Sequence, residues 1–173
     1  MGRLDAHWRG EYIATATSDE RANRDSGVDA TSEDHCVFCA ILLGSEPDER
    51  TYVVARTGLA ACILNAYPYT SGHVLVMPTR HVGGLSDLSI EEYEALFVQI
   101  RRATEAVTRA YLPEGLNVGM NLGRAAGAGI PGHLHAHVLP RWSGDTNFMT
   151  SIVETRVVPE SLYRTWEKLR AAW

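Results

Sequence analysis

The segment GHLHAHVLPRW, residues 132–142, constrains the fold more than any other part of the chain. Its histidines, His133, His135 and His137, stand at alternate positions with apolar residues between them. Because successive side chains of a β-strand point to opposite faces, a strand here places all three imidazoles on one face and the apolar residues in a core. Three of the chain's seven histidines fall within these five residues. This concentration favours a functional site over a polar surface strand.

Two kinds of chemistry fit three imidazoles on one strand face. In the first, the histidines are ligands of one catalytic metal ion, since imidazole is a common zinc ligand. In the second, one histidine attacks phosphorus while its neighbours position it and bind anionic oxygens, because neutral imidazole is a good nucleophile near pH 7. The preceding loop, NLGRAAGAGIPGH, contains four glycines, and such a loop exposes backbone N–H groups to phosphate oxygens. The combination favours phosphate chemistry.

Three segments are predicted to be helical. In the clearest of them, Ser89 and Glu92 form a capping box, and apolar residues follow at helical spacing until Pro113: Tyr93, Leu96, Phe97, Ile100, Ala103 and Val107. The segment CVFCAILLG is typical of a short helix that ends at Gly44. A last helix begins near Pro159 and carries Leu162, Trp166 and Leu169.

Five segments favour β-strands: TYVVAR, LAACILN, HVLVMP, GLNVGMNLG and HLHAHVLPR. Thr57 and Gly58 separate the first two and indicate a hairpin, and Pro78 ends the third. Consecutive strands with short turns favour antiparallel pairing. The sequence therefore predicts an α+β fold, with an antiparallel meander sheet, one long helix and a C-terminal helix.

Two regions are expected within the 173 residues. Residues 17–35 are polar and charged, so they cannot bury enough apolar surface to offset the entropy of ordering. Residues 1–35 are therefore predicted to be an N-terminal arm and flexible linker, and residues 36–173 one globular domain, which is a usual size for a single core.

Charge and composition argue against several classes of partner. The net charge is −5, and no basic stripe follows a predicted element, which argues against a nucleic-acid polymer. Neither a long apolar run nor a signal-peptide pattern is present, which argues against a membrane. An odd number of cysteines, three, fits a secreted disulfide scaffold poorly. A cytoplasmic protein is expected.

The histidine segment resembles the signature of the histidine triad family of nucleotide hydrolases and transferases. The stretches NAYPYTSGHVLVMPTRHV, GLNVGMNLGRAAGAGIPGHLHAHVLPRW and GDTNFM, with the arm HWRGEYI, are similar to its bacterial branch of diadenosine tetraphosphate phosphorylases or hydrolases. The resemblance covers about residues 36–173. It implies a homodimer whose sheet extends across both chains, which also hides an aggregation-prone edge.

The resemblance also implies roles for particular residues. His135 would be the nucleophile on the α-phosphorus, giving a nucleotidyl-histidine intermediate, and His137 would bond the phosphate or the leaving oxygen. His73 would orient the other ring nitrogen of the nucleophile, through a backbone carbonyl. The resemblance also implies a set of nucleotide-binding residues. Asn65 would hold the ribose, and Ile63 with its neighbour Leu64 would hold the base. The phosphate would be held by Asn121, by Gly127 and Gly129 of the glycine loop, and by His137.

One position departs from the family pattern. Many family hydrolases carry Gln or Ser four residues before the first triad histidine, where this chain has Gly129. Backbone N–H groups would have to serve there instead. Water and inorganic phosphate both remain credible acceptors for the second step.

Cys36 and Cys39 have the two-residue spacing of a zinc half-site, although an empty reduced pair or redox chemistry would show the same spacing. In zinc-bearing members of the family the second half matches His81 and His133. The resemblance thus implies a closed structural zinc site that fastens the first helix to the sheet, and no catalytic metal.

The leading hypothesis is a nucleotidyl hydrolase or phosphorylase that acts on dinucleoside polyphosphates through His135. Two alternatives stay open. One is a zinc-stabilised nucleotide-binding module with little turnover, and the other is a metal-dependent phosphohydrolase that uses the triad as ligands.

Overall fold

The structure is a computed structural model that describes residues 32–145 and 160–173. The predicted arm and most of the linker, the end of the GDTNFM stretch and the predicted start of the last helix at Pro159 lie outside the described residues. Within the described ranges, no helix is both long enough and apolar enough to span a membrane.

Four α-helices and five strands make up the described fold. The helices are α1 (Val37–Leu43), α2 (Asp48–Thr51), α3 (Ile90–Tyr111) and α4 (Leu162–Ala172). Short 3-10 turns lie at Glu33–His35, Leu85–Asp87 and Arg124–Ala126. The strands are β1 (Val53–Arg56), β2 (Ala60–Leu64), β3 (Val74–Pro78), β4 (Gly115–Met120) and β5 (Ala136–Arg141).

The strands form one antiparallel sheet in the order β1-β2-β3-β5-β4. The predicted α+β class and antiparallel pairing are confirmed. The first three strands form the expected meander. The chain then crosses through α3 to the far edge, so that β5 returns between β3 and β4 and the histidine segment lies inside the sheet.

The predicted fifth strand is shorter than its sequence pattern suggests. Its ladder begins at Ala136, opposite Val76, so only His137 of the three histidines lies within it. The ladder stops because β3 ends at Pro78, which has no N–H to donate, and because the N–H of Leu134 bonds to the carbonyl of Val82 at 2.6 Å.

The alternation of faces nevertheless holds along the histidine segment. Leu134, Ala136 and Val138 lie in the core on the side of α3 and α4. His133 and His135 both contact Phe38 of α1, on the other side of the sheet.

The sheet separates two hydrophobic clusters. One lies beneath α3 and α4, and the other beneath α1. Within β2, Leu64 belongs to the first cluster and Ile63 to the second. The expectation that both residues surround one base is therefore wrong, because strand alternation places Leu64 on the face opposite the histidines. Ile63 remains on their face.

The long helix begins as predicted. The Ser89 side chain accepts a hydrogen bond from the N–H of Glu92, and the Glu92 carboxylate accepts one from the N–H of Ser89. The core side of the helix runs through Leu96, Ile100, Ala103 and Val107, among others. Tyr93 and Phe97 lie outside this core, 43% and 41% exposed, and their ring centroids are 4.5 Å apart.

The two edges of the sheet differ. The C-terminal helix covers the β1 edge, where Trp166 Nε1 donates to the carbonyl of Val53 at 2.9 Å and Arg170 donates to that of Val54 at 3.0 Å. The β4 edge is largely exposed, with Val118 49% exposed. An edge with unpaired backbone groups can accept a strand from another chain.

We expect Gly72→Ala to destabilise the protein by at least about 1–2 kcal/mol in the free energy of unfolding. Gly72 has a φ of 85°, and an added Cβ would lie 2.8 Å from the Tyr111 ring. Gly58→Ala is the matched control, since a Cβ there meets nothing within 4 Å. Denaturant unfolding checks both variants. Equal stability of the two would contradict the argument.

Candidate active site and metal site

His135 is held by a backbone carbonyl just before β5. Its Nδ1 lies 2.8 Å from the carbonyl oxygen of His133. A carbonyl only accepts hydrogen bonds, so Nδ1 carries the hydrogen and Nε2 keeps its lone pair in the neutral ring. Phe38 packs edge-on against the imidazole at 5.2 Å between centroids. The backbone carbonyl of His133 therefore favours the tautomer of His135 that a nucleophile needs.

The protonation state of His135 suits the same role. The side chain is 6% exposed, and this burial lowers its pKa below 6.5 despite the opposing hydrogen bond to the carbonyl of His133. Desolvation disfavours the charged imidazolium. Near neutral pH the ring is uncharged and able to attack an electrophile.

His73 contacts His137 rather than His135. Its Nε2 lies 3.0 Å from His137 Nδ1, and its Nδ1 accepts a hydrogen bond from the backbone N–H of Tyr69 at 3.2 Å. The expected link from His73 to the nucleophile runs through a backbone carbonyl, and the carbonyl at Nδ1 of His135 is that of His133. The role of His73 stays a prediction. His73 is fully buried at the start of β3.

Two of the predicted nucleotide-binding residues directly follow strands of the sheet, and two lie in the glycine loop. Asn65 follows β2, and its Nδ2 lies 3.2 Å from His73 Nδ1. Asn121 follows β4 and donates to the carbonyl of Gly127 at 3.2 Å, which ties down the glycine loop. Gly127 has a φ of 89°, a conformation that favours glycine. Gly129 lies in the same loop, half-buried.

The structure brings together all four predicted metal ligands. One ligand atom each from Cys36, Cys39, His81 and His133 lies within 4.8 Å of the others. His133 Nδ1 is 3.4 Å from the Cys36 sulfur and 3.5 Å from that of Cys39, and His81 Nδ1 is 3.3 Å from Cys39. Two thiols and two imidazoles form a donor set that can hold a metal ion.

The tautomer of His133 fits metal binding. Its Nε2 lies 3.0 Å from the carbonyl of Pro78, so Nε2 carries the hydrogen and Nδ1 offers a lone pair to the cluster. Burial, aided by the neighbouring His81 and His135, lowers the pKa of His133 to about 4. Burial and the adjacent Cys36 raise the pKa of the Cys39 thiol to about 12. A bound cation would favour its thiolate instead.

Two arginines fasten the segments that carry these ligands. Arg80, beside His81, makes two 2.7 Å bonds to the carboxylate of Glu92 at the start of α3. The pair holds the pKa of Glu92 at about 2. Arg56 donates to the carbonyl of Leu42 at 2.6 Å, at the end of α1. The segment that carries His81 is thereby bonded to α3, and the helix that carries Cys39 is bonded to β1.

Sequence reasoning did not single out Phe38 or Tyr69. Phe38 packs against both His133 and His135. Tyr69 lies nearly parallel to His137, with an angle of 11° and centroids 6.2 Å apart. Their positions inside the segments CVFC and NAYPYTSGH were the only available signal, and neither segment has a periodicity that would reveal these contacts.

A family model described as the HIT domain matches residues 46–144. This chain therefore belongs to the histidine triad (HIT) family, as its histidine segment suggested. It is 43% identical over 126 residues to the AP-4-A phosphorylase of Mycobacterium tuberculosis, a match that covers 73% of this chain and 65% of that relative. The chain thus spans less than two thirds of that relative's length.

Other relatives and solved structures agree with this assignment. A bis(5'-nucleosyl)-tetraphosphatase (asymmetrical) of Schizosaccharomyces pombe is 37% identical over 54% of this chain and 50% of its own. A zinc-bound histidine triad family protein from Mycobacterium smegmatis superposes with a TM-score of 0.65 and 31% identity, over 82% of this chain and 94% of that chain. A hypothetical histidine triad nucleotide-binding protein from Sulfolobus tokodaii gives 0.64 and 27%, over 79% and 91%.

Proposed function

We propose that this protein is a nucleotidyl hydrolase or transferase that cleaves dinucleoside polyphosphates such as diadenosine tetraphosphate. The observation that carries the proposal is the 2.8 Å bond from His135 Nδ1 to the carbonyl of His133, which leaves the Nε2 lone pair for attack. The names of the mycobacterial and fission-yeast relatives support the substrate class.

The reaction proceeds in two displacements at phosphorus. His135 Nε2 attacks the α-phosphorus, a P–N bond forms, and the P–O bond to the polyphosphate breaks, with ATP as the leaving group from diadenosine tetraphosphate. An acceptor oxygen then attacks the same phosphorus and breaks the P–N bond, restoring neutral His135. Water yields AMP, and inorganic phosphate yields ADP. His137 and the glycine-loop N–H groups stabilise the charged oxygens in both steps.

A structural zinc ion belongs to the proposal. Cys36, Cys39, His81 and His133 would hold it in a closed four-ligand site, where it supplies cross-linking of α1 to the sheet. The zinc-bound relative from Mycobacterium smegmatis supports the choice of metal. No step of the reaction passes through this ion.

The metal-ligand alternative for the triad has little support in the described residues. Within residues 32–145 and 160–173, the one His/Cys/Asp/Glu group placed to hold a metal takes His133 and neither His135 nor His137. The alternative of a binding module with little turnover keeps the same pocket and is separated from the enzyme by the assay below.

We also propose that the active form is a cytoplasmic homodimer. The exposed β4 edge offers unpaired backbone groups to a second copy, which would extend the sheet. Sedimentation equilibrium at micromolar concentration measures the mass directly, and a monomer there would reject the dimer.

The function is tested by supplying diadenosine tetraphosphate with and without inorganic phosphate and separating the products by chromatography. AMP and ATP without phosphate indicate a hydrolase. ADP and ATP that appear only with phosphate indicate a phosphorylase. Stoichiometric binding without product would reject the enzyme and favour the binding module.

We expect the acid limb of kcat/KM to have an apparent pKa below 6.5. Burial lowers the pKa of His135, so the ring stays unprotonated, and therefore nucleophilic, at a pH where an exposed imidazole would already be half charged. Rates measured from pH 8 to pH 4.5, with circular dichroism to confirm folding at each pH, check this. An acid limb at or above 6.5 in folded protein would contradict it.

A further inference from the structure

We propose that Asn65 is a positioning residue for the histidine that donates a hydrogen bond to the reacting phosphate. Acting through His73, it fixes His137 in the tautomer whose Nε2 carries the hydrogen. This role is separate from any contact with ribose, and it rests on the proposed function only in that His137 donates to a phosphate or leaving oxygen.

The orientation of the Asn65 amide is settled by a neighbouring backbone group. Its Oδ1 accepts a hydrogen bond from the N–H of Tyr67 at 3.0 Å. Since an N–H only donates, the oxygen must face Tyr67 and the NH₂ group must face the ring of His73, where Nδ2 and Nδ1 are 3.2 Å apart. The amide is therefore a donor to His73.

His73 Nδ1 receives two N–H groups. One comes from Asn65, and the other is the backbone N–H of Tyr69 at 3.2 Å. A ring nitrogen that faces two donors must keep its lone pair, so neutral His73 carries its hydrogen on Nε2. The ring is 1% exposed, so bulk water is a poor replacement for either donor.

The tautomer of His73 in turn determines that of His137. His73 Nε2–H points at His137 Nδ1, 3.0 Å away, so that nitrogen must be the acceptor. Neutral His137 then holds its hydrogen on Nε2. The reverse tautomer of His73 would place its Nδ1 hydrogen against the two N–H donors of Asn65 and Tyr69. Hydrogen-bond donation therefore runs in one direction, from Asn65 and Tyr69 to His73 and from His73 to His137.

His135 and His137 are thus fixed in opposite tautomers. His135 has its hydrogen on Nδ1 and a lone pair on Nε2, as a nucleophile requires. His137 has the lone pair on Nδ1 and the hydrogen on Nε2, as a donor requires. The Tyr69 ring lies nearly parallel to the His137 ring, at 11°. The chain of hydrogen bonds that begins at Asn65 thus makes His137 a hydrogen-bond donor, while His135 remains the nucleophile.

The kinetic test compares Asn65→Ala with wild type on two substrates, diadenosine tetraphosphate and its analogue that lacks the 2′- and 3′-hydroxyls of both riboses. We expect Asn65→Ala to lower kcat about tenfold on both, because one buried donor to His73 is lost in either case. A loss of activity that disappears with the analogue would mean that Asn65 acts through ribose alone and would overturn the proposal.

Thr57→Ala is the matched control. Thr57 is exposed in the turn between β1 and β2, and its Oγ1 donates to the carbonyl of Ala60 at 2.9 Å. We expect its kcat to stay within about twofold of wild type on both substrates. A tenfold loss of kcat in this variant as well would mean that the Asn65 effect is a nonspecific effect of losing a side-chain hydrogen bond, and it would overturn the proposal.

Nitrogen NMR of the free protein gives a second readout without any substrate. We expect His73 Nδ1 and His137 Nδ1 to be unprotonated in wild type, and the two tautomers of each ring to mix in Asn65→Ala. A protonated His73 Nδ1 in wild type would overturn the proposal even if turnover is high. Absence of turnover with the expected tautomers would instead reject the proposed function and leave the positioning role supported.

Discussion

Replacing His135 with alanine is expected to lower turnover of diadenosine tetraphosphate by at least about 1000-fold. The variant removes the only protein atom that forms a bond to phosphorus in the proposed reaction. Binding should change little, because the glycine loop and the residues at the strand ends remain. The measurement is kcat and KM, with a separate Kd from titration of the unreactive variant.

His135→Asn sharpens this experiment. Asparagine can still donate a hydrogen bond to the carbonyl of His133, so it preserves the local structure but not the nucleophile. An alkaline quench of wild type during turnover of labelled substrate should trap a nucleotidyl-protein adduct that is stable to base and labile to acid, and both variants should trap none. Retention of more than about a tenth of wild-type turnover by either variant would reject the nucleophilic role.

His35→Ala is the control for removing an imidazole. His35 is exposed in the turn before α1, outside the hydrogen-bonded histidine group. Its replacement should leave kcat within about twofold of wild type. A comparable loss in this variant would show that the effect of His135 is not specific.

Replacing Cys39 with serine is expected to abolish binding of the proposed zinc ion and to lower the free energy of unfolding by about 4 kcal/mol or more. Cys39 is 3% exposed, and its sulfur lies within 3.5 Å of both His81 Nδ1 and His133 Nδ1. Without it, the three remaining ligands, of which His81 is only half-buried, would no longer hold the proposed ion, and α1 would lose that link to the sheet. Elemental analysis and denaturant unfolding measure the two effects.

Cys62→Ala is the matched control for loss of a buried thiol. Cys62 lies mid-strand in the core beneath α3, fully buried and outside the metal cluster. Its replacement should cost about 1–2 kcal/mol and keep the metal content of wild type. Equal destabilisation of the two variants, or wild-type protein that takes up no zinc, would refute the structural metal site.

The Cys39 variant should also lose activity, although no step uses the metal. His133 offers Nδ1 to the cluster, and its carbonyl holds Nδ1 of His135. Phe38 of α1 packs against both rings. Freeing α1 therefore loosens the bond that sets the tautomer of the nucleophile. We expect kcat to fall more than KM rises, under conditions in which the variant remains folded.

Much of the fold followed from local pattern. The capping box of Ser89 and Glu92 set the start of α3, and the alternation around Ala136 assigned the faces of the histidine segment. These features depend on neighbours within a few residues, so the sequence contains them. Family membership could also be predicted from the sequence, because three alternating histidines after a glycine loop form a short local signature. The roles of the individual site residues stay predictions.

Other features were decided only by long-range contacts. The histidine ladder starts at Ala136 because Pro78 and Val82, more than 50 residues away in sequence, set where pairing ends. Leu64 faces away from the site because of its register in β2. His73 meets His137 across β3 and β5. The sequence predicted which side chains carry chemistry. The tertiary structure decided which partners the ring nitrogens of His133 and His137 meet, because those partners come from distant segments of the chain.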